Sequence, residues 1–166
     1  MILHKGEILF RQGEEGPLYH IHSGLLKVVR LQEDGTSFLF NIIVPGETIP
    51  HHSLLSPKEY HGTAIALVHT EAEPILPQQW YEQLQQEPQA YATIAMQLQS
   101  KLRMMQERID QLTTVSSKER VERLQQWFST YLGDIPIYDI LTQTEIAQLV
   151  GLRRETVNRI LREQIK

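Results

Sequence analysis

Leu141-Thr-Gln-Thr-Glu-Ile-Ala-Gln-Leu-Val-Gly-Leu-Arg-Arg-Glu-Thr-Val-Asn-Arg-Ile-Leu-Arg-Glu-Gln-Ile165 decides how this chain is read. Thr142 with Glu145 three residues on is a capping box, the start signal of a helix. Ala147 is small, as a close crossing of two helices requires. Gly151 stands four residues later, where a tight turn needs positive φ. Val157 follows at a spacing that packs a second helix on the first. Between these apolar points the second helix carries Arg153, Arg154, Glu155, Asn158 and Arg159. These are the side-chain types that read base edges in a major groove. The pattern predicts a helix-turn-helix whose reading helix spans residues 153–164.

The remaining composition sets bounds. A chain of 166 residues has room for a sensor and a small second module. With 41% hydrophobic and 22% charged residues it is an ordinary core-forming sequence. No apolar run approaches the roughly 18 residues of a membrane span, so no membrane partner is expected. The stretch Met1–Glu7 lacks the basic-then-apolar pattern of a secretory signal. Cysteine is absent, which excludes disulfides, thiolate zinc sites and thiol redox sensing. A cytoplasmic location is expected. Net charge is −4, yet residues 153–166 hold five Arg or Lys against two Glu. A local basic face on an acidic protein suits a binder whose phosphate contacts are confined to one surface.

Residues 1 to about 77 read as short strands: 7–10, 18–22, 25–31, 37–44 and 63–68, separated by Gly- and Pro-containing turns. Asp34-Gly35 is a hairpin signal. Many short strands at close spacing predict a sandwich or barrel. From Pro77 the period changes to helical. A short helix is followed, from Pro88, by a long one with apolar residues at Tyr91, Ile94, Leu98, Leu102, Met105, Ile109 and Leu112. Steps of three and four make a near-heptad stripe, read as the seam of a parallel homodimer. Thr113 to Ser117 is a hinge, and Ser116 with Glu119 is a capping box opening the next helix. Val121, Leu124, Phe128 and Tyr131 or Leu132 give it an apolar face, and Gly133-Asp-Ile-Pro stops it. Ile135 to Leu141 is expected to be extended.

Strand-rich sensor, long helix, hinge and terminal helix-turn-helix, in that order, resemble the Crp/Fnr family of bacterial transcription regulators. The residues that carry the likeness are Thr142–Leu161, the opening Gly6-Glu-Ile-Leu-Phe-Arg-Gln-Gly13, Leu18-Tyr-x-Ile-x-Ser-Gly24, and Pro45-Gly46-Glu47. The resemblance implies an α+β fold: a jelly-roll β-barrel sensor like a cyclic-nucleotide-binding domain (1–88), a dimerisation helix and hinge (89–114), and a DNA-binding domain (115–166). It places Arg154, Glu155 and Arg159 on base-reading positions of a palindromic site with G·C pairs in each half. Arg153 and Thr156 are assigned to phosphate, and Asn158, Thr142 and Thr144 join the DNA-binding set. A pair between Glu155 and Arg159, at i and i+4, is a competing role for both. RNA polymerase would be a further partner of an activator. Two departures stand out: Arg153 replaces the Ser or Thr cap common in relatives, and the sequence ends at Lys166, where relatives continue into a β-hairpin wing. This is either a reduced member or a shortened chain.

The same resemblance points to an effector region at Gly46, Glu47, Thr63 and Ala64, with Met105 and Gln106 on the helix side. Relatives that bind a cyclic nucleotide place Arg before Ser or Thr to neutralise the phosphate. Here Gly62 stands at that position, so cyclic AMP is not expected and no cofactor is assigned. An organic acid held by Lys101 or Arg103, and effector-free constitutive binding, are the alternatives. His20 and His22 share one face of a strand, which opens a cupin-like metal-enzyme reading; the glutamate expected shortly after such a pair is missing, since Leu26 and Lys27 stand there. No metal site is assigned. A dimeric partner-binding module without specific DNA affinity is a further alternative. No catalytic triad or phosphate loop is present, so the chain is read as a non-enzyme.

Overall fold

The computed structural model describes residues 1–113 and 116–164. The hinge centre, Thr114 and Val115, and the last two residues, Ile165 and Lys166, lie outside the described residues. Two compact units divide the chain, Met1–Arg103 and Met104–Lys166.

The first unit holds two four-stranded antiparallel sheets. Their strands are β1 (Ile2–Leu3), β2 (Ile8–Phe10), β3 (Leu18–Ser23), β4 (Leu26–Leu31), β5 (Ser37–Ile43), β6 (Thr48–Ile49), β7 (Thr63–Ala66) and β8 (Thr70–Ile75). One sheet runs β1-β8-β3-β6 and the other β2-β7-β4-β5, a jelly-roll-like arrangement. The two-residue period of a strand sorts the side chains. In β4, Leu26 and Val28 are buried while Lys27 and Val29 lie nearer the surface; in β7, Ala64 and Ala66 point inward. The core is filled by Phe10, Tyr19, Ile21, Leu26, Ile43 and Ile49 among others. Full burial of such side chains stabilises by about 1.5–3 kcal/mol each. Asp34-Gly35 closes the β4–β5 hairpin as its sequence predicts. The Asp34 carboxylate accepts from the Thr36 N–H at 2.9 Å, and Gly35 takes φ 82°. Gly24, between β3 and β4, has φ 85°, and a side chain there would collide with the His69 carbonyl. No other residue fits that turn.

Helix α1 (Pro77–Gln86) and the opening of α2 (Pro88–Thr113) close one end of this unit. Leu84 and Ile94 are buried with Leu18 and Leu54. Ile94 therefore leaves the proposed seam: it points into its own chain's core. Leu98 is half-buried against the same cluster. The helical period alone does not say which neighbour a stripe faces, and Ile94 and Leu98, within the first three turns of α2, are used internally. Tyr91, Leu102, Met105, Ile109 and Leu112 remain exposed, by 39–59%.

The second unit is helical: the end of α2, then α3 (Ser117–Leu132), α4 (Ile137–Ile140), α5 (Gln143–Val150) and α6 (Arg154–Gln164). Ser116 caps α3 by accepting from the Glu119 N–H at 3.3 Å. The Glu119 carboxylate is taken by Arg123 at 2.6 Å. Val121, Leu124 and Phe128 are buried as their spacing predicts; of the next pair, Leu132 is half-buried and Tyr131 exposed. Gly133 ends α3 at φ 62°. The segment expected to be extended forms one helical turn instead, α4. Pro136 opens it, and Ile137 and Ile140, three apart, both turn inward. An extended chain would send them to less favourable faces.

Candidate nucleic-acid interface and sensor site

The α5–turn–α6 unit is fixed at three points. Thr142 and Glu145 form the complete capping box: the Thr142 hydroxyl accepts from the Glu145 N–H at 3.2 Å, and the Glu145 carboxylate accepts from the Thr142 N–H at 2.9 Å. Gly151 adopts φ 64°, ψ 40°, and its N–H and that of Leu152 both donate to the Ala147 carbonyl. This is the glycine stop of a helix end. Val157, Ile160 and Leu161 then bury one face of α6, alongside Ile146, Ala147, Leu149 and Val150 of α5. The opposite face keeps Arg153, Arg154, Glu155, Arg159 and Arg162 exposed. Thr156 is half-buried beside them.

Several assignments change in detail. Asn158 is half-buried, and its amide donates to the Gln143 side chain at 2.9 Å. It bridges the two helices instead of projecting with the arginines, because its neighbour Val157 fixes it at the edge of the packed face. Thr142 is spent on its cap, while Thr144 is exposed. The Glu155–Arg159 pair does not form. Arg159 approaches Glu163 at 3.5 Å instead. Glu155 lies in the first turn of α6, where the helix dipole favours an anion, so it does not depend on Arg159 for compensation. Arg162 was not among the sequence candidates. With Glu155, Asn158, Arg159 and Glu163 it lines a shallow concavity of about 430 Å³. Its spacing of three from Arg159 was the signal for it.

In the first unit, Gly46 and Glu47 follow β5. The Gly46 N–H donates to the Ile21 carbonyl at 2.7 Å, and the Glu47 carbonyl accepts from the Ile21 N–H at 2.9 Å. This bends the Glu47 side chain inward, where it is only 7% exposed. Its carboxylate meets Lys101 of α2, itself 6% exposed, at 2.9 Å through Oε1 and 3.2 Å through Oε2. Lys101 also donates to the Ile42 carbonyl at 2.8 Å. Burial pushes the Glu47 carboxyl above its ordinary pKa, and the Lys101 ammonium pulls it back down. His51 Nε2 lies 3.7 Å from Glu47 Oε2, too far for a hydrogen bond. Burial, then repulsion from Lys101, lower its pKa to about 3, so the imidazole is neutral.

Thr63 is half-buried and accepts from the Gln12 N–H at 3.1 Å; Ala64 is fully buried. A side chain at Gly62 would meet Val28 Cγ1 and the Val29 carbonyl at 2.8 Å. The missing arginine thus coincides with a missing space for it. Met105 and Gln106 belong to the second unit. His20 Nδ1 bonds Thr48 Oγ1 at 3.0 Å, and His22 Nε2 bonds the Glu73 carboxylate at 2.9 Å. Among the described residues, no group of three or more His, Cys, Asp or Glu is placed to hold a metal. No helix among them is long and apolar enough to cross a membrane.

A jelly-roll that turns Glu47 of a Gly-Glu pair inward defines a class, and residues 1–87 match the family described as Cyclic nucleotide-binding domain. The sequence is 30% identical over 163 residues to the CRP-like cAMP-activated global transcriptional regulator of Mycobacterium tuberculosis, covering 95% of this chain and 73% of that one. It is 29% identical over 159 residues to the Cyclic AMP receptor protein of Thermus thermophilus, with 95% and 72% covered. Among solved structures, a CRP-family transcriptional regulator from Thermus thermophilus is similar with a TM-score of 0.81 at 22% identity, over 99% of this chain and 84% of that one. That structural likeness supports the fold. The chain belongs to the CRP/FNR family of transcription regulators.

Proposed function

We propose that this protein is a sequence-specific DNA-binding regulator, acting as a homodimer on a two-fold symmetric site. The observation that carries the reading is the exposed Arg154–Glu155–Arg159–Arg162 stripe on a helix whose other face is fully packed. Arg154 and Arg159 each offer a two-pronged donor to guanine, and Glu155 accepts from a cytosine amino group. Arg153 and the Thr156 hydroxyl serve the phosphates. The Arg159–Glu163 pair is a surface contact contributing roughly 0–1 kcal/mol. That is less than the roughly 1–3 kcal/mol of a good base contact, so DNA can break it. Two reading helices are needed for a useful grip, and the exposed apolar stripe Leu102, Met105, Ile109 and Leu112 on α2 supplies a self-association surface. Leu102→Glu with Ile109→Glu is expected to give monomers by sedimentation, with tight DNA binding lost; an intact dimer refutes the stripe. Cyclic AMP is not the effector in this reading, since Gly62 brings no cation and Glu47 is already paired. RNA polymerase is the further partner if the protein activates.

Selection of bound duplexes from a random pool tests the core of this. A two-fold symmetric consensus with G·C pairs in each half is expected. No preference over scrambled competitor would leave only a partner-binding module.

A further inference from the structure

Glu47 and Lys101 are 54 residues apart in sequence and form a closed polar site inside the first unit. An ammonium has three N–H donors. Lys101 finds three acceptor atoms: the Ile42 carbonyl at 2.8 Å and the two Glu47 oxygens at 2.9 and 3.2 Å. The second Glu47 oxygen is also approached by the Val44 N–H at 3.4 Å. Just one helical turn earlier on the same face of α2, Gln97 clamps the next residue: its amide nitrogen donates to the Thr48 carbonyl at 2.7 Å, and its amide oxygen accepts from the Thr48 N–H at 3.2 Å. Two side chains of the long helix thus grip two consecutive residues of the segment after β5. Any hydroxyl-bearing ligand reaching for Glu47 must first displace Lys101 and leave a buried ammonium without its anion. That is a strongly unfavourable exchange.

We propose that this seat is occupied in cis: the Lys101 ammonium stands in for a diffusible effector, locking α2 to the Glu47–Thr48 segment, so the DNA-competent form needs no added small molecule. This rests on the reading of the chain as a DNA-binding regulator. The next residue, Leu102, begins the exposed stripe, and the helix continues past Arg103 into the second unit, where Met105 follows. Holding Lys101 fixes this part of α2 within the first unit.

The test uses the full chain and its selected duplex. Wild-type protein is expected to bind that duplex with the same Kd, and to unfold at the same Tm, with or without cyclic AMP or cyclic GMP. Lys101→Ala removes three carbons and the ammonium. Its Kd should rise about tenfold, within the range of ordinary coupling between sites. Millimolar n-propylammonium should restore both Kd and Tm. Tetramethylammonium, which has no N–H to donate, should not do so at equal ionic strength, a control that removes the salt dependence of DNA binding. Should Lys101→Ala fail to fold, Glu47→Gln with Lys101→Met removes both charges at similar volume; it is expected to fold and to show the same loss of affinity. A wild-type requirement for a cyclic nucleotide overturns the proposal. So does wild-type affinity in the folded variants, or equal rescue by both cations. If wild-type protein prefers no duplex under any condition, the regulator reading fails instead, and the propylammonium-specific rise in Tm still reports the seat.

Discussion

Glu47 and Glu155 are both carboxylates set among cations, and the structure treats them in opposite ways. Glu47 is buried, shares both oxygens with Lys101 and stands at the centre of a closed site. Glu155 is exposed on α6 and, among the described residues, makes no ion pair, although Arg159 stands four residues on. A charge whose partners are fixed inside the fold contributes to architecture. A charge held on a rigid helix and left to solvent is available to something else. The same contrast separates Lys101 from Arg154.

The largest effect should come from opening the inner site. Lys101→Met leaves Glu47 buried without its cation, and loss of one partner of such a pair costs about 3–5 kcal/mol. Urea unfolding measures it; a loss below about 1 kcal/mol, the scale of a surface pair, would erase the distinction between the two carboxylates. Next, Arg154→Ala or Glu155→Ala should leave stability nearly unchanged and relax base preference in each half-site by about 1–3 kcal/mol. Competition binding against singly substituted duplexes reads this. Uniform weakening on all sequences would mean phosphate contacts.

A third effect concerns pH. His51 has a folded pKa near 3 against an ordinary 6.5. Below pH 6.5 the unfolded chain takes up a proton that the folded chain refuses, so stability falls by about 1.4 kcal/mol for each further unit of acidification. It is fully present above the unfolded value. His51→Phe should flatten the pH dependence of urea midpoints between about pH 7 and about pH 5 relative to wild type. Equal slopes would show the imidazole to be less enclosed than its contacts indicate. Smallest, Glu163→Gln should change stability by only a few tenths of a kcal/mol while strengthening DNA binding slightly, because Arg159 is released and an anion removed. Weaker binding would show that the pair orients Arg159 for its base.

Local patterns made most of this architecture readable. The capping box at Thr142, the positive-φ glycine at 151 and the hairpin at Asp34-Gly35 each depend on neighbours a few residues away. Strands β1, β6 and β8 escaped. The first two have two residues each, and β8 carries Pro74 opposite Tyr19, a residue that argues against a strand. Ile94 was misplaced because a spacing of three and four marks a face without naming what covers it. The charged stripe of α6 was visible because it is local; its internal pairing was not, since Arg159 has a carboxylate four residues away on either side. Glu47 and Lys101 were each placed near the effector region, but their pairing across 54 residues had no local signal. Only the packing of α2 on the first unit brings them together.

One consequence of the second unit concerns how small it can be made. Helix α4 has four residues and α5 eight, well under the roughly 12 a helix needs to persist alone in water. The order of α5 is borrowed from its packing on α3, whose buried face is Val121, Leu124 and Phe128. The α5–turn–α6 unit is therefore not a detachable piece. On the proposed DNA-reading role, a substitution of the buried face of α3 is expected to blunt sequence choice along with one on the arginines themselves.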